Sequence, residues 1–136
     1  MRTAIDSSVV LDVLVADSRH AARSEAALRQ CAAEGVLIVG ECVVAEIAPT
    51  LGGRGSQVGD LLREWGVEFV PSTEETAALA GSMFGTYLAR RRRAGPRRVL
   101  PDFLIGAHAA LLSDRLLTRD RVYYRDYFKG LVLIEP

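Results

Sequence analysis

Val36-Leu37-Ile38-Val39-Gly40-Glu41-Cys42-Val43-Val44-Ala45-Glu46-Ile47-Ala48-Pro49 carries the fold in small. Residues 36–39 are an unbroken apolar run of strand length, and three of the four are β-branched. A strand with one wet face alternates apolar and polar residues, so a continuous run marks a strand covered on both faces, as in a parallel sheet. Residues 41–48 follow as a helical segment and stop at Pro49, which a helix interior would not tolerate. Outward from this unit the pattern repeats. Strand-length apolar runs stand at residues 3–5, 67–70, 116–118 and 131–134. Helical segments lie between them. Residues 18–34 are alanine-rich and free of Gly and Pro, and residues 73–93 are long enough for about five turns. In residues 102–113, Leu104, Ala107, His108, Leu111 and Leu112 share one face at helical spacing. Residues 52–56 and 94–101 read as loops. Strand alternating with helix predicts an α/β domain, with helices on both faces of a mostly parallel sheet. No repeat or linker divides the chain, so residues 1–136 are expected to form a single domain.

Composition excludes several classes. Hydrophobic residues make up 49% and charged residues 25%, which argues against disorder. No apolar run approaches the ~18 residues of a membrane span, and residues 1–6 lack the pattern of a signal peptide. A cytoplasmic protein with no membrane association is expected. Cys31 and Cys42 form no CxxC pair and read as buried thiols. His20 and His108 are too far apart in sequence to suggest a ligand pair, and His108 reads as a hydrogen-bonded core residue. Trp65, before Gly66, reads as core at a helix end. The 17 basic and 17 acidic residues cancel, but six arginines crowd residues 90–98. Such a cluster can hold a phosphate backbone even where total charge is neutral.

In open α/β sheets, ligands sit beyond the carboxyl ends of the strands. Asp6 directly follows the first strand, and Asp120 lies two residues past the end of the fourth. Asp102 follows Pro101 at a helix start. Glu46 lies in the helix after the second strand, among apolar neighbours where an unpaired carboxylate is costly. Each also has a plain structural reading: Asp102 as a helix cap, Asp120 as a turn residue, Asp6 as a partner for loop amides. Together, carboxylates meeting at one sheet edge would repel unless a hard cation sat among them. Mg²⁺ or Mn²⁺ suits such oxygen ligands and supports phosphodiester hydrolysis.

Four segments in order resemble PIN-domain ribonucleases, in particular VapC-type toxins of prokaryotic toxin–antitoxin pairs. They are residues 5–11 around Asp6, residues 41–47 with Glu46, residues 100–109 (Leu-Pro-Asp-Phe-Leu-Ile-Gly-Ala-His-Ala) with Asp102, and residues 116–120 with Asp120. Residues 123–128 and 133–136 are similar to the end of that subgroup. The resemblance implies a three-layer α/β/α PIN-like fold with about five strands, and Mg²⁺- or Mn²⁺-dependent endonucleolytic cleavage of RNA. It implies that Asp6, Glu46, Asp102 and Asp120 are catalytic and metal-binding. Asp6 and Asp102 would be the most direct ligands. Glu46 and Asp120 would act through water or a second ion, or orient the attacking water. Ser7 and Thr118 would hold carboxylates or waters in place. The motif register favours Glu46 over the nearby Glu41. The resemblance further implies a cognate antitoxin docking near the acidic groove, and a homodimer.

Arg90, Arg91, Arg92, Arg93, Arg97 and Arg98 are expected to contact RNA phosphates. Contact with an antitoxin and a solvated helix end favoured by the helix dipole are the other readings. Tyr123, Tyr124, Tyr127 and Phe128 are expected to pack a terminal segment on the sheet rather than stack on bases. Three other functions compete. An RNA-processing PIN nuclease without a toxin role shares every motif. A catalytically silent RNA- or protein-binding domain would leave four acids repelling without purpose. A phosphoacceptor module would need an Asp after the third strand, where Val70-Pro71-Ser72 has none.

Overall fold

The computed structural model describes residues 1–16, 19–91 and 97–136. Strands β1 (Arg2–Ile5), β2 (Val36–Val39), β3 (Val67–Phe69), β4 (Arg115–Leu117) and β5 (Val132–Ile134) form one sheet in the order β3-β2-β1-β4-β5. Every neighbouring pair is parallel. The apolar runs of the three central strands are buried as expected, with Ile5, Ile38, Val39, Leu116 and Leu117 at most 1% exposed, whereas the edge strands β3 and β5 are not, with Phe69 57% and Val132 55% exposed. Helices α1 (Ser7–Leu14), α2 (Ala21–Glu34), α3 (Glu41–Ile47), α4 (Gly55–Glu64), α5 (Glu74–Arg90), α6 (Leu100–Leu112) and α7 (Arg121–Tyr127) complete a three-layer α/β/α arrangement.

Helices α1 and α7 were not foreseen, and of α4 only the end at Trp65 was. Helix α1 follows the first strand directly, where no helical segment was expected. Its Val9, Val10 and Val13 are poor helix formers, but Val9 and Val10 are completely buried, so packing outweighs propensity. Helix α4 begins at Gly55, inside the expected 52–56 loop, and ends at Trp65, which packs partly buried against the core. Helix α7 has only seven residues, three of them tyrosine. Helix α5 matches its expected start: Thr73 Oγ1 accepts from Thr76 N at 3.2 Å while Thr73 N donates to Thr76 Oγ1 at 2.6 Å. After α3, Pro49 falls in the first turn of a 3-10 helix (Ala48–Leu51), where its missing N–H is no loss.

Helix α6 departs most from expectation. It starts at Leu100 with Pro101 in its first turn, so the loop read over residues 94–101 is shorter. Residues 94–96 of that loop lie outside the described residues. The helix does not bury one face. Phe103, Ile105, Gly106, Ala107, His108 and Ala109 are all buried, whereas Leu111 is 40% exposed. The helix packs against α3, α5, β1 and β4 together, which surrounds its middle. His108 Nε2 donates to Val70 O at 2.7 Å, a core role as expected. Its ring lies so close to Gly40 that a Cβ there would stand 2.9 Å from it. The turn leading into α3 is thereby seated on α6.

Gly106 meets Phe128 still more tightly: an added Cβ would fall 2.2 Å from the ring. Phe128 is itself 4% exposed and has little room to retreat. Gly106→Ala is therefore expected to destabilise the fold by about 1–3 kcal/mol through overpacking, despite alanine's better helix propensity. Urea denaturation of the two proteins checks this.

Candidate active site

The strand order places a switch point between β1 and β4. From β1 the chain builds outward to β2 and β3, then returns to add β4 and β5 on the other side. The crevice beyond the carboxyl ends of β1 and β4 is where such a sheet takes a ligand. Asp6 stands there. Its N donates to Leu117 O at 3.0 Å, extending the β1–β4 pairing by one residue, and it is only 6% exposed. Its Oδ2 accepts from Thr118 Oγ1 at 2.7 Å and from Ser8 Oγ at 3.2 Å. Burial holds the Asp6 carboxyl above the usual carboxylate range. The Thr118 and Ser8 hydroxyls work against that shift, and the charge of Asp102 adds to it.

Ser7 links Asp6 to the next acid. Its hydroxyl lies 3.1 Å from Glu46 Oε1 and 3.5 Å from Asp6 Oδ1. Glu46 is less embedded than its neighbours suggested. Val43 and Ile47 are buried, but Glu46 and Ala45 are exposed, on the side of α3 turned away from the core. Its carboxyl is nevertheless raised, first by partial burial of the acid group, then by the charges of Asp6 and Asp102, against the Ser7 hydrogen bond. Glu41 is engaged elsewhere, accepting from Ser72 N at 3.1 Å.

Asp102 is the third residue of α6. Its Oδ2 accepts from Val99 N at 3.0 Å, so the helix-capping reading holds alongside its place near the other acids. The next residue, Phe103, is completely buried at the centre of an aromatic cluster. Phe84, Tyr87, Tyr123 and Tyr127 surround it at centroid distances of 5.3–5.6 Å. The tyrosines of residues 123–127 thus pack the core, as expected, and hold the start of α6 in place. Asp120 lies just before α7. Its N donates to Thr118 Oγ1 at 2.9 Å, so the fully buried Thr118 connects Asp6 and Asp120.

Arg98, expected to contact RNA, forms a close ion pair with Asp120. Its second amino group is 3.5 Å from the other carboxylate oxygen, and its guanidinium lies 4.4 Å over the Tyr123 ring. Arg90, Arg91 and Arg97 are exposed. Arg92 and Arg93 lie outside the described residues.

Sequence reading missed a second buried acid. Asp12 of α1 is 4% exposed and takes a two-pronged bond from Arg119: Nε to Oδ2 at 2.7 Å and Nη2 to Oδ1 at 3.0 Å. Ser24 Oγ of α2 donates to the same carboxylate at 2.7 Å. Arg119 sits between Thr118 and Asp120, so this pair anchors the loop that carries them. The signal was present, since Asp12 interrupts an apolar helix just as Glu46 does. Ser8 was missed as well.

Among the described residues, no three Asp, Glu, His or Cys side chains close into a ready-made metal cage. A small hard cation needs none, because Mg²⁺ keeps several waters and takes one or two carboxylates. The donor set fits such an ion: it is all oxygen, and Asp6 and Glu46 carry raised carboxyls that a nearby cation would bring down. Among the described residues the buried Tyr123 hydroxyl has no hydrogen-bond partner, and Asp102 is the first charge acting on it. A buried hydroxyl of this kind suits a hydrated ion or a phosphate oxygen nearby.

The PIN domain family's sequence profile matches residues 3–129, a span that holds all four acids. No curated protein sequence matches the chain. Among solved structures, VapBC2 from Rickettsia felis bound to a DNA fragment from their promoter is similar in fold, with a TM-score of 0.73 at 15% identity. The match covers 99% of this chain and 98% of that one.

Two outcomes follow from the burial of the acids. Because the folded state raises the Asp6 pKa, the ionised group works against folding. That penalty is full above the folded-state value and absent below the unfolded value of 3.8. Asp6→Asn is expected to stabilise metal-free protein at pH 7 by roughly 1 kcal/mol, the gain fading as pH falls through the raised pKa. Denaturation in chelator at pH 7 and at acid pH reads both the size and the trend. Asp12→Ala should instead lose about 2–3 kcal/mol, since it strands Arg119 and leaves the buried Ser24 hydroxyl unpaired. A loss below about 0.5 kcal/mol, the range of an ordinary surface change, would contradict an anchoring role.

Proposed function

The chain belongs to the PIN domain family, and on that premise we propose that it is a metal-dependent endoribonuclease and the toxin of a toxin–antitoxin pair. The observation that carries the reading is the meeting of Asp6, Glu46 and Asp102 at the β1–β4 crevice, near enough for the charge of Asp102 to act on Asp6 and for the charges of both to act on Glu46. Asp6 and Asp102 would hold the ion. Mg²⁺ or Mn²⁺, when bound, supplies charge neutralisation at the phosphodiester and lowers the pKa of an attacking water. The remaining work belongs to the protein. Ser7, Ser8 and Thr118 keep the carboxylates oriented through the hydrogen bonds described. Glu46, exposed at the crevice with a raised carboxyl, orients the water and accepts its proton. Arg90, Arg91 and Arg97, with Arg92 and Arg93 of the same run, guide the RNA backbone by charge.

Two features support a toxin role with a protein antitoxin. The fold likeness to VapBC2 extends over nearly the full length of both chains, and the chain offers a partner both charges, in the acids past the strand ends and in the exposed Arg90, Arg91 and Arg97. A homodimer and a cytoplasmic site of action belong to the same reading. No described helix is long and apolar enough to cross a membrane.

Purified protein free of antitoxin is expected to cut total cellular RNA at discrete positions with Mg²⁺ or Mn²⁺. Chelator should abolish the cuts, and Asp102→Ala should slow them by about 100-fold or more. Mapping the cut ends identifies the target. Folded, antitoxin-free protein that cuts no RNA with either ion would sink the proposal.

A further inference from the structure

Among the described residues, Asp120 is the one acid of the four that already has a cationic partner. Arg98 reaches both of its carboxylate oxygens. The arginine is held from several directions. Its backbone N donates to Tyr87 OH at 2.8 Å, its guanidinium stacks on Tyr123, and Asp120 takes the fork. Tyr87 and Tyr123 both pack on Phe103, the neighbour of Asp102. Arg98 is thus fixed to the same rigid cluster that fixes an acid of the site, unlike the exposed Arg90, Arg91 and Arg97. Among the described residues, Asp6, Glu46 and Asp102 accept from neutral donors: hydroxyls and a backbone N–H for Asp6, a hydroxyl for Glu46 and a backbone N–H for Asp102.

A guanidinium stays charged at any working pH and carries five N–H donors in a plane. Two reach Asp120, which leaves others for a phosphate oxygen. We propose that Arg98 takes the place of a second metal ion: the site accepts one divalent cation, on the side of Asp6, Glu46 and Asp102, and Arg98 presents the fixed positive charge to the phosphodiester on the side of Asp120. This rests on the nuclease reading above and specifies how its site is charged. It makes Asp120 the seat of a built-in cation rather than a ligand of a mobile one.

Counting bound Mn²⁺ tests the inference without relying on turnover. Metal-free protein is titrated with Mn²⁺ and the free ion is followed by electron paramagnetic resonance, with circular dichroism showing that each variant is folded. Wild type should bind one ion per chain, Arg98→Ala two, and Arg98→Ala with Asp120→Asn one again. Arg98→Ala should also cut RNA about 100-fold more slowly although it holds more metal, and Arg98→Lys should keep one ion and recover part of the rate. A merely structural ion pair would leave the rate of folded protein unchanged, and an inhibitory plug would raise it on removal. Either result overturns the inference, as does a second ion in wild type or a single ion in Arg98→Ala. Should Arg98→Ala fail to fold, Asp120→Asn decides. Unchanged affinity for the first ion supports the inference, and weakened affinity places Asp120 among that ion's ligands and overturns it. Two ions with intact RNA cleavage would refute this inference alone, whereas no bound Mn²⁺ and no cleavage would refute the nuclease reading with it.

Discussion

A carboxylate that is 6% exposed at the end of the central strand is the constraint around which this protein is arranged. Ionised, Asp6 is unfavourable there unless its lone pairs are met. The local sequence meets them cheaply. Ser8, two residues on, bonds back to it, and Ser7 places a hydroxyl between it and Glu46. Thr118, brought alongside by the β1–β4 pairing, donates its own proton while accepting from Asp120 N. Hydroxyls orient a carboxylate without neutralising it, so the negative field survives for a cation. An arginine at the same spot would have stabilised the fold and cancelled the site.

The second layer of support is apolar. Phe103 is locked among four aromatic rings, and the acid beside it inherits that rigidity. Below it, the contacts of Gly106 with Phe128 and of Gly40 with His108 bring backbone and ring together without room for a methyl group. Helix α6 is therefore clasped at its start, middle and flank. A side chain that must present one carboxylate at a set position benefits from a support that cannot shift.

How much of this was readable depended on range. The strands were, because burial on both faces leaves continuous apolar runs, and their observed ends differ from the expected ones by about one residue. The positions of Asp6, Asp102 and Asp120 in the fold were, because strand ends and helix starts are visible in sequence. Helix α1 was not, since its valines argue against a helix and only tertiary burial overrules them. Glu46 was singled out for a reason the structure corrects: its neighbours are apolar, but α3 turns the acid itself outward. Pairings across the fold left no local trace. Arg98 with Asp120 and Arg119 with Asp12 join residues 22 and 107 positions apart, and an arginine-rich run gives no hint of which member turns inward.

The bond between Asp6 and Thr118 spans 112 positions, and the central strand pairs with β4 only after two strands and most of the helices lie between them in sequence. A ribosome makes the first acid of the site, Asp6, well over a hundred residues before the last, Asp120. Until residues 115–120 emerge, β1 has an open flank, Asp6 lacks the threonine that orients it, and Arg119 cannot anchor through Asp12. Contacts of such long sequence separation also form slowly once the chain is free. The crevice therefore forms only once residues 115–120 are made: a chain stopped before them carries most of the acids but not the geometry that joins them.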